Sequence, residues 1–367
     1  MKSKKIYLLI TLAFFSILIT ACTSGAYAST SWHGLTADSE AVYLSAGAQV
    51  YKIDLNNGTE MWRYPEKANV KGFYANPILT SDGQLLVPSY DNKLYSLDPS
   101  SGREKWSFPS SNEDGGSSNR LIASPLVANE MIYQPSSDNF IYALDMDGRQ
   151  VWKMETEGPL WAQPVTSPDC GCVYVASMDH TVYSFNASTG DQLWRSPELG
   201  GALVGSPAVS PEGLLYVGTF AKELIALDAT NGSIIWRYAT EDWVWSGPVL
   251  ADDVLYFGDL SGFFYALNTS DQSLVWRIQP QNSILDKPVI LEDNIYLTTE
   301  GDTLFIINKS DGKIVDSRVI GGLIYSSPVI SGETVLIAPT AQAKTDPLLY
   351  ALNLDGSQKW TPFTPAK

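Results

Sequence analysis

One phrase returns about every 42 residues through this chain, and no other feature limits so sharply what it can fold into. An apolar-aromatic run ends in Asp or Asn, a turn bearing Gly follows, and a second apolar run reaches Trp. In the fifth copy these are Leu224 to Asp228, then Gly232, then Trp236. The copies close on Trp62, Trp106, Trp152, Trp194, Trp236, Trp276 and Trp360. One further copy, from Leu304 to Gly312, carries Asp316 where Trp is expected. Each repeat holds four short strand patterns separated by turn residues, and a period near 42 built of short strands is that of propeller blades. The expected fold is all-β: an eight-bladed β-propeller of four-stranded antiparallel blades over residues 32–367.

The repeat also gives each position a role. Pro opens the first strand of seven blades, from Pro77 to Pro328, with Leu35 in its place in blade one; proline is tolerated at a strand start. The Asp or Asn ending each third strand can accept backbone N–H groups of its turn, and Gly can take φ > 0 there. The Trp residues are large enough to wedge between neighbouring blades, where each indole N–H needs a partner. Trp62, Trp106, Trp152, Trp194, Trp236, Trp276 and Trp360 are therefore structural docking residues. Insertions at 110–120 and 341–346 lengthen two loops.

The N-terminus reads differently. Lys2, Lys4 and Lys5 precede an apolar stretch from Ile6 to Ile19, too short and too early for an ordinary spanning helix. It ends in Thr20, Ala21 and Cys22, a sequence that resembles a bacterial lipobox. Residues 1–21 are expected to be a lipoprotein signal peptide, Cys22 the lipidated residue, and 22–31 a small polar tether. From Cys22 onward the chain carries 21 basic and 40 acidic residues, a balance of −19. So acidic a body lacks the cations that bind nucleic acid or anionic lipid.

At the repeat the resemblance becomes specific. The Leu-Tyr-Ala-Leu-Asp…Gly…Trp phrase resembles that of the pyrroloquinoline-quinone (PQQ) propellers, which include quinoprotein alcohol dehydrogenases and the BamB-type lipoproteins of barrel assembly. Chain length, eight repeats and the lipobox resemble the lipoprotein branch. That resemblance implies a monomeric, non-catalytic scaffold binding protein partners or clients at an extracytoplasmic membrane surface, the outer membrane where there is one. The alternatives are a small dehydrogenase using PQQ and Ca²⁺, and a carbohydrate- or peptide-binding sensor. The dehydrogenases commonly carry adjacent cysteines, whereas Cys170 and Cys172 are split by Gly171 and fall in a hairpin turn.

No catalytic or metal-binding pattern emerges. His180 occupies a turn position filled by Asn92, Asn139 and Lys222 in other blades, and His33 stands at the start of blade one. One position resists a purely structural reading. Three residues before each strand-one Pro stand Trp32, Tyr74, Trp161, Trp245 and Tyr325, with aliphatic residues in the other three blades. Together with Trp243 these aromatics are expected to line one mouth of the central channel and to bind the partner, because Trp and Tyr offer large rigid contact area.

Overall fold

In blade five, Ala208–Val209, Leu214–Thr219, Glu223–Asp228 and Ile234–Ala239 pair antiparallel in chain order. The same order recurs along the chain in the computed structural model, which describes residues 32–68, 71–110, 116–167, 170–341, 343 and 345–366. The signal peptide, Cys22 and its tether lie outside the described residues, as do 111–115 of one insertion and 342 and 344 of the other. Ser31–Lys367 is one compact unit. Among the described residues there are seven four-stranded sheets and one three-stranded sheet. The molecule is an eight-bladed β-propeller.

The three-stranded sheet is blade eight, Val329–Ser331, Thr334–Ile337 and Tyr350–Asn353. Its fourth position is filled by an irregular segment bridged at Gln358 to Leu352 and at Phe363 to Leu349. Pro362 has no N–H to give a ladder, so a regular outer strand cannot form there.

The core lies between blades. Strands two and three read as nearly continuous apolar runs because both faces are covered. Tyr174 and Val182 of blade four share one buried cluster with Leu215, Val217 and Ile225 of blade five. The fourth strand makes the join specific. In seven blades the pairing of strands three and four slips by one residue, just after the position opposite the docking Trp in six of them and opposite Asp316 in blade seven. That opposite residue is small in most blades: Ser96, Ala143, Ser184, Ala226 and Ala266 face their Trp partners. The indole then reaches the next blade. Trp62, Trp152, Trp194 and Trp276 donate Nε1–H to the carbonyls of Pro99, Ala187, Ala229 and Lys309 at 3.0–3.1 Å. Trp106 donates instead to Gln84 Oε1 at 2.9 Å, and Gln84 Nε2 passes the link to Met146 of blade three.

In six blades the Gly of this turn lies against the preceding blade's indole. A Cβ on Gly232, whose φ is +74°, would come within 2.5 Å of Trp194. In blade six Gln272 holds the Gly position at φ 58°. Blade seven departs as a unit: bulky Ile306 faces Asp316. Arg318 takes over the docking role, bonded to Asp316 and donating from Nε to the Gly356 carbonyl at 3.2 Å.

Ring closure uses the same device. Trp360 donates to the Leu55 carbonyl at 3.1 Å and covers Gly58. Leu336, Ala351 and Phe363 of blade eight share a core with Val42, Leu44 and Ile53 of blade one. No strand is exchanged between the first and last sheets among the described residues.

Candidate functional site

The antiparallel order puts the starts of all first strands, the turns joining strands two and three, and the links between blades on one face. Backbone bonds tie the last two together. Tyr90 N donates to Gly72, Phe220 N to Ala202 and Leu260 N to Trp243. The approach is close enough that a Cβ on Gly201 would lie 2.3 Å from Ala221 N. Each link alternates a fully buried anchor with an outward neighbour. Phe73, Leu160, Val244 and Ile324 are buried, while Tyr74, Trp161, Trp245 and Tyr325 beside them are half-buried. Trp32 is likewise half-buried, and Trp243 is 42% exposed. Of the 11 tryptophans, the four that do not end a repeat all stand on this face.

The structure brings some of the expected aromatics into two ring clusters. Trp243 stacks on Phe220 with ring centres 4.6 Å apart, and Trp245 lies 5.2 Å from the same ring. Tyr74 lies 4.7 Å from Tyr90, over which Arg120 is placed at 5.3 Å. Phe220 and Tyr90 escape the reading of one column of the repeat. They occupy another column, the residue after the Ser, Thr or Asp that follows strand two's apolar run, where Met178 and Leu260 are also large and apolar. Aligning that column as well would have found them.

Charges fix the loop carrying Trp243. Asp242 pairs with Lys222 at 3.1 Å, and the hydrogen bond from Lys222 lowers its carboxyl below the usual range despite some desolvation. Glu241 pairs with Arg277 at 2.9 Å across to the next outer strand. Thr240 Oγ1 donates to the Asp242 carbonyl at 2.7 Å. Two indoles on a braced loop are thus held with the phenyl ring of the adjoining turn, at little ordering cost for anything that docks there.

The remaining candidates have structural surroundings. His180 is half-buried, at φ 72°, with Nδ1 3.1 Å from Glu198. His33 is buried; its pKa falls to about 4 because burial removes water from the ring. Cys170 and Cys172 form a disulfide in the turn joining the first two strands of blade four, on the opposite face. Asp98 accepts N–H groups of Ser100 and Ser101 at 3.0 and 2.8 Å, and these bonds with the Ser100 hydroxyl bring its pKa to about 2. Among the described residues, no group of three or more His, Cys, Asp or Glu is placed to hold a metal ion, and no helix is long and apolar enough to cross a membrane.

The family model described as outer membrane protein assembly factor BamB matches residues 46–179, 178–286 and 246–366. A BamB of Nitrosomonas eutropha is 30% identical over 115 residues, 31% of this chain and 27% of that protein. A BamB of Bordetella pertussis is 28% identical over 103 residues, 27% of this chain and 26% of its own length. The chain thus spans about a quarter of the length of the curated relatives it matches. The crystal structure of BamB from Moraxella catarrhalis superposes with a TM-score of 0.65 at 18% identity, covering 88% of this chain and 91% of that one. The computationally designed Ika8 protein gives 0.72 at 12% identity, covering 84% and 92%. At such identities these structures speak for the fold alone. The family match extends over nearly the whole propeller, and the chain belongs to the BamB family of outer membrane protein assembly factors.

Proposed function

We propose that the chain is a lipid-anchored, non-catalytic scaffold that holds protein partners of an outer-membrane assembly machinery against the face bearing Phe220, Trp243 and Trp245. One observation carries this reading: Trp243 is 42% exposed yet stacked on Phe220 and fixed by the ion pairs of its own loop. Large aromatic groups held rigid at a surface are the residues that dominate protein interfaces. Cys22 supplies the anchor, and the acidic body stays off anionic lipid and nucleic acid. The relatives' description as assembly factors supports a binding role without a reaction, and the reading requires neither PQQ nor Ca²⁺.

In-cell crosslinking of the full chain, followed by capture and mass spectrometry, tests it. A barrel-assembly protein should be recovered with the unaltered chain and lost from Trp243→Ala/Trp245→Ala, while the purified variant keeps its melting temperature within a few degrees. Capture retained by the folded variant, or no capture at all, sinks the assignment of this face. Cys22→Ser should move the protein into the soluble fraction; retention on membranes rules out the lipid anchor. Dye-linked alcohol oxidation by the chain with PQQ and Ca²⁺ would overturn the non-catalytic reading.

A further inference from the structure

The turn joining the first two strands of a blade needs no cross-link to form. In blade four the Gly171 carbonyl accepts a bond from Ala187 N at 2.9 Å. In blades five, six and seven the carbonyls of Gly213, Asp253 and Asp293 accept the same bond from Ala229, Thr269 and Lys309 at 2.8–2.9 Å. The left-handed residue of the turn is Gly171 at φ 56°, and Gly213, Asp252 and Glu292 serve there in the other three. Cysteines stand only in the turn of blade four, where Cys170 and Cys172 are joined. A cross-link that encloses a single residue removes less freedom from the unfolded chain than any longer one. The geometry of the turn thus does not require the disulfide, and the stability it adds is small.

Its two sulfurs stand in different surroundings. Cys170 is exposed at the tip of the turn, whereas Cys172 is 2% exposed and packs in the cluster of Tyr174, Leu203 and Leu215. The Cys172 N–H lies 3.2 Å from Cys170 Sγ and the Ser167 carbonyl 3.6 Å from it, both groups of the turn itself. An N–H in that place favours negative charge on the sulfur. A Cβ on Gly171 would meet nothing within 4 Å, so the tip is open to an approaching chain. Exchange depends on which sulfur can be reached, and exposed disulfides are the labile ones.

We propose that Cys170–Cys172 is a thiol–disulfide exchange site whose reactant is a pair of cysteine thiols on one extended polypeptide. A thiolate of that polypeptide attacks Cys170 Sγ. The new bond joins the two chains, the Cys170–Cys172 bond breaks, and Cys172 leaves with the electron pair and takes the proton that the incoming thiol released. The second thiol then attacks the polypeptide's own sulfur in the mixed disulfide. Cys170 leaves as a thiolate beside the Cys172 N–H and takes up the second proton. The polypeptide loses two electrons and two protons, and the cysteine pair gains them. Cys172, one residue from the mixed disulfide, reverses the first step for a lone thiol, whereas a second thiol on the same polypeptide competes at high effective concentration. The site stands on the face opposite the aromatic cluster and does not rest on the reading of that face.

The probe is a dye-labelled extended peptide with two cysteines four residues apart, mixed in equal amount with the oxidised full chain in the absence of oxygen, each thiol being located by mass spectrometry. The peptide should become its disulfide as thiols appear at Cys170 and Cys172, and Cys170→Ala/Cys172→Ala should convert none. The same quantity of thiol supplied as glutathione should reduce about tenfold less of the pair. With one cysteine left, Cys172→Ala should react with an aromatic disulfide about tenfold or more faster than Cys170→Ala, because its remaining sulfur is the exposed one. The variants should keep the wild-type melting temperature within a few degrees. A pair that stays oxidised in the presence of the peptide overturns the proposal, as does equal reduction by glutathione or equal reaction of the two single thiols. A double variant that melts far below the wild type would make the disulfide structural and refute it as well.

Discussion

Burial holds His33 as a neutral imidazole. Burial lowers its pKa from 6.5 to about 4, partly countered by a hydrogen bond to the Pro339 backbone. In the unfolded chain the same ring takes up a proton near pH 6.5. Between these values the unfolded state binds more protons, so stability is complete above pH 6.5 and falls as pH drops toward 4. A shift of this size is worth up to about 3 kcal/mol. Urea midpoints at pH 7 and pH 4.5 should show that loss, and His33→Asn should flatten it. An unchanged slope in the variant would put the acid sensitivity elsewhere. The turn carboxylates, Asp98 foremost, act in a lower window, because its pKa near 2 makes its contribution disappear only below about pH 4.

At the scale of the strand pair, a docking Trp, the small residue opposite it and the next blade's Gly form one device. Blade five offers an internal comparison. Gly213 and Gly232 both have φ near +80°, but a Cβ on Gly213 meets nothing within 4 Å, whereas one on Gly232 strikes Trp194. Gly213→Ala should cost about 1 kcal/mol, for the backbone conformation alone. Gly232→Ala should cost about 2–4 kcal/mol, since the indole must also move. Thermal unfolding of both variants decides the matter, and equal costs would mean that the turn, not the indole, needs the glycine. Blade seven shows the device changing as a set: Trp is lost, the facing residue becomes Ile306, and Arg318 bridges to Gly356 in its place.

For the whole molecule the decisive contact is the one between the chain's two ends. Trp360 closes the ring by the same bond that joins consecutive blades, reaching Leu55 across 305 positions of sequence. Trp360→Ala should destabilise by about 3–5 kcal/mol as a buried aromatic is lost. It should also broaden the unfolding transition, because an open ring can fray from its ends as linear repeats do. A sharp transition with a smaller loss would show that the shared core of blades eight and one closes the ring without it.

Period and side-chain type were enough to determine the blade plan from the sequence. Four short strands cannot bury both faces alone, so a phrase repeated eight times specifies neighbours that cover one another. The turn chemistry of Asp98 and Gly232 and the wedge role of Trp194 were legible for the same reason, since each depends on residues close in sequence or one period away. The face was legible only in part. Trp245 and Trp243 could be named, but Phe220 joins them through the approach of a turn to a link more than twenty residues further on. The outer edge of blade seven, where Asp316 and Arg318 cap the backbone of Ser317, was not legible at all. Which backbone groups of Ser317 and Val319 point outward depends on the ladder register after a bulge, and a one-residue slip reverses it. Local chemistry repeats with the sequence, whereas the orientation of an edge and the meeting of two loops are set only when the strands have paired.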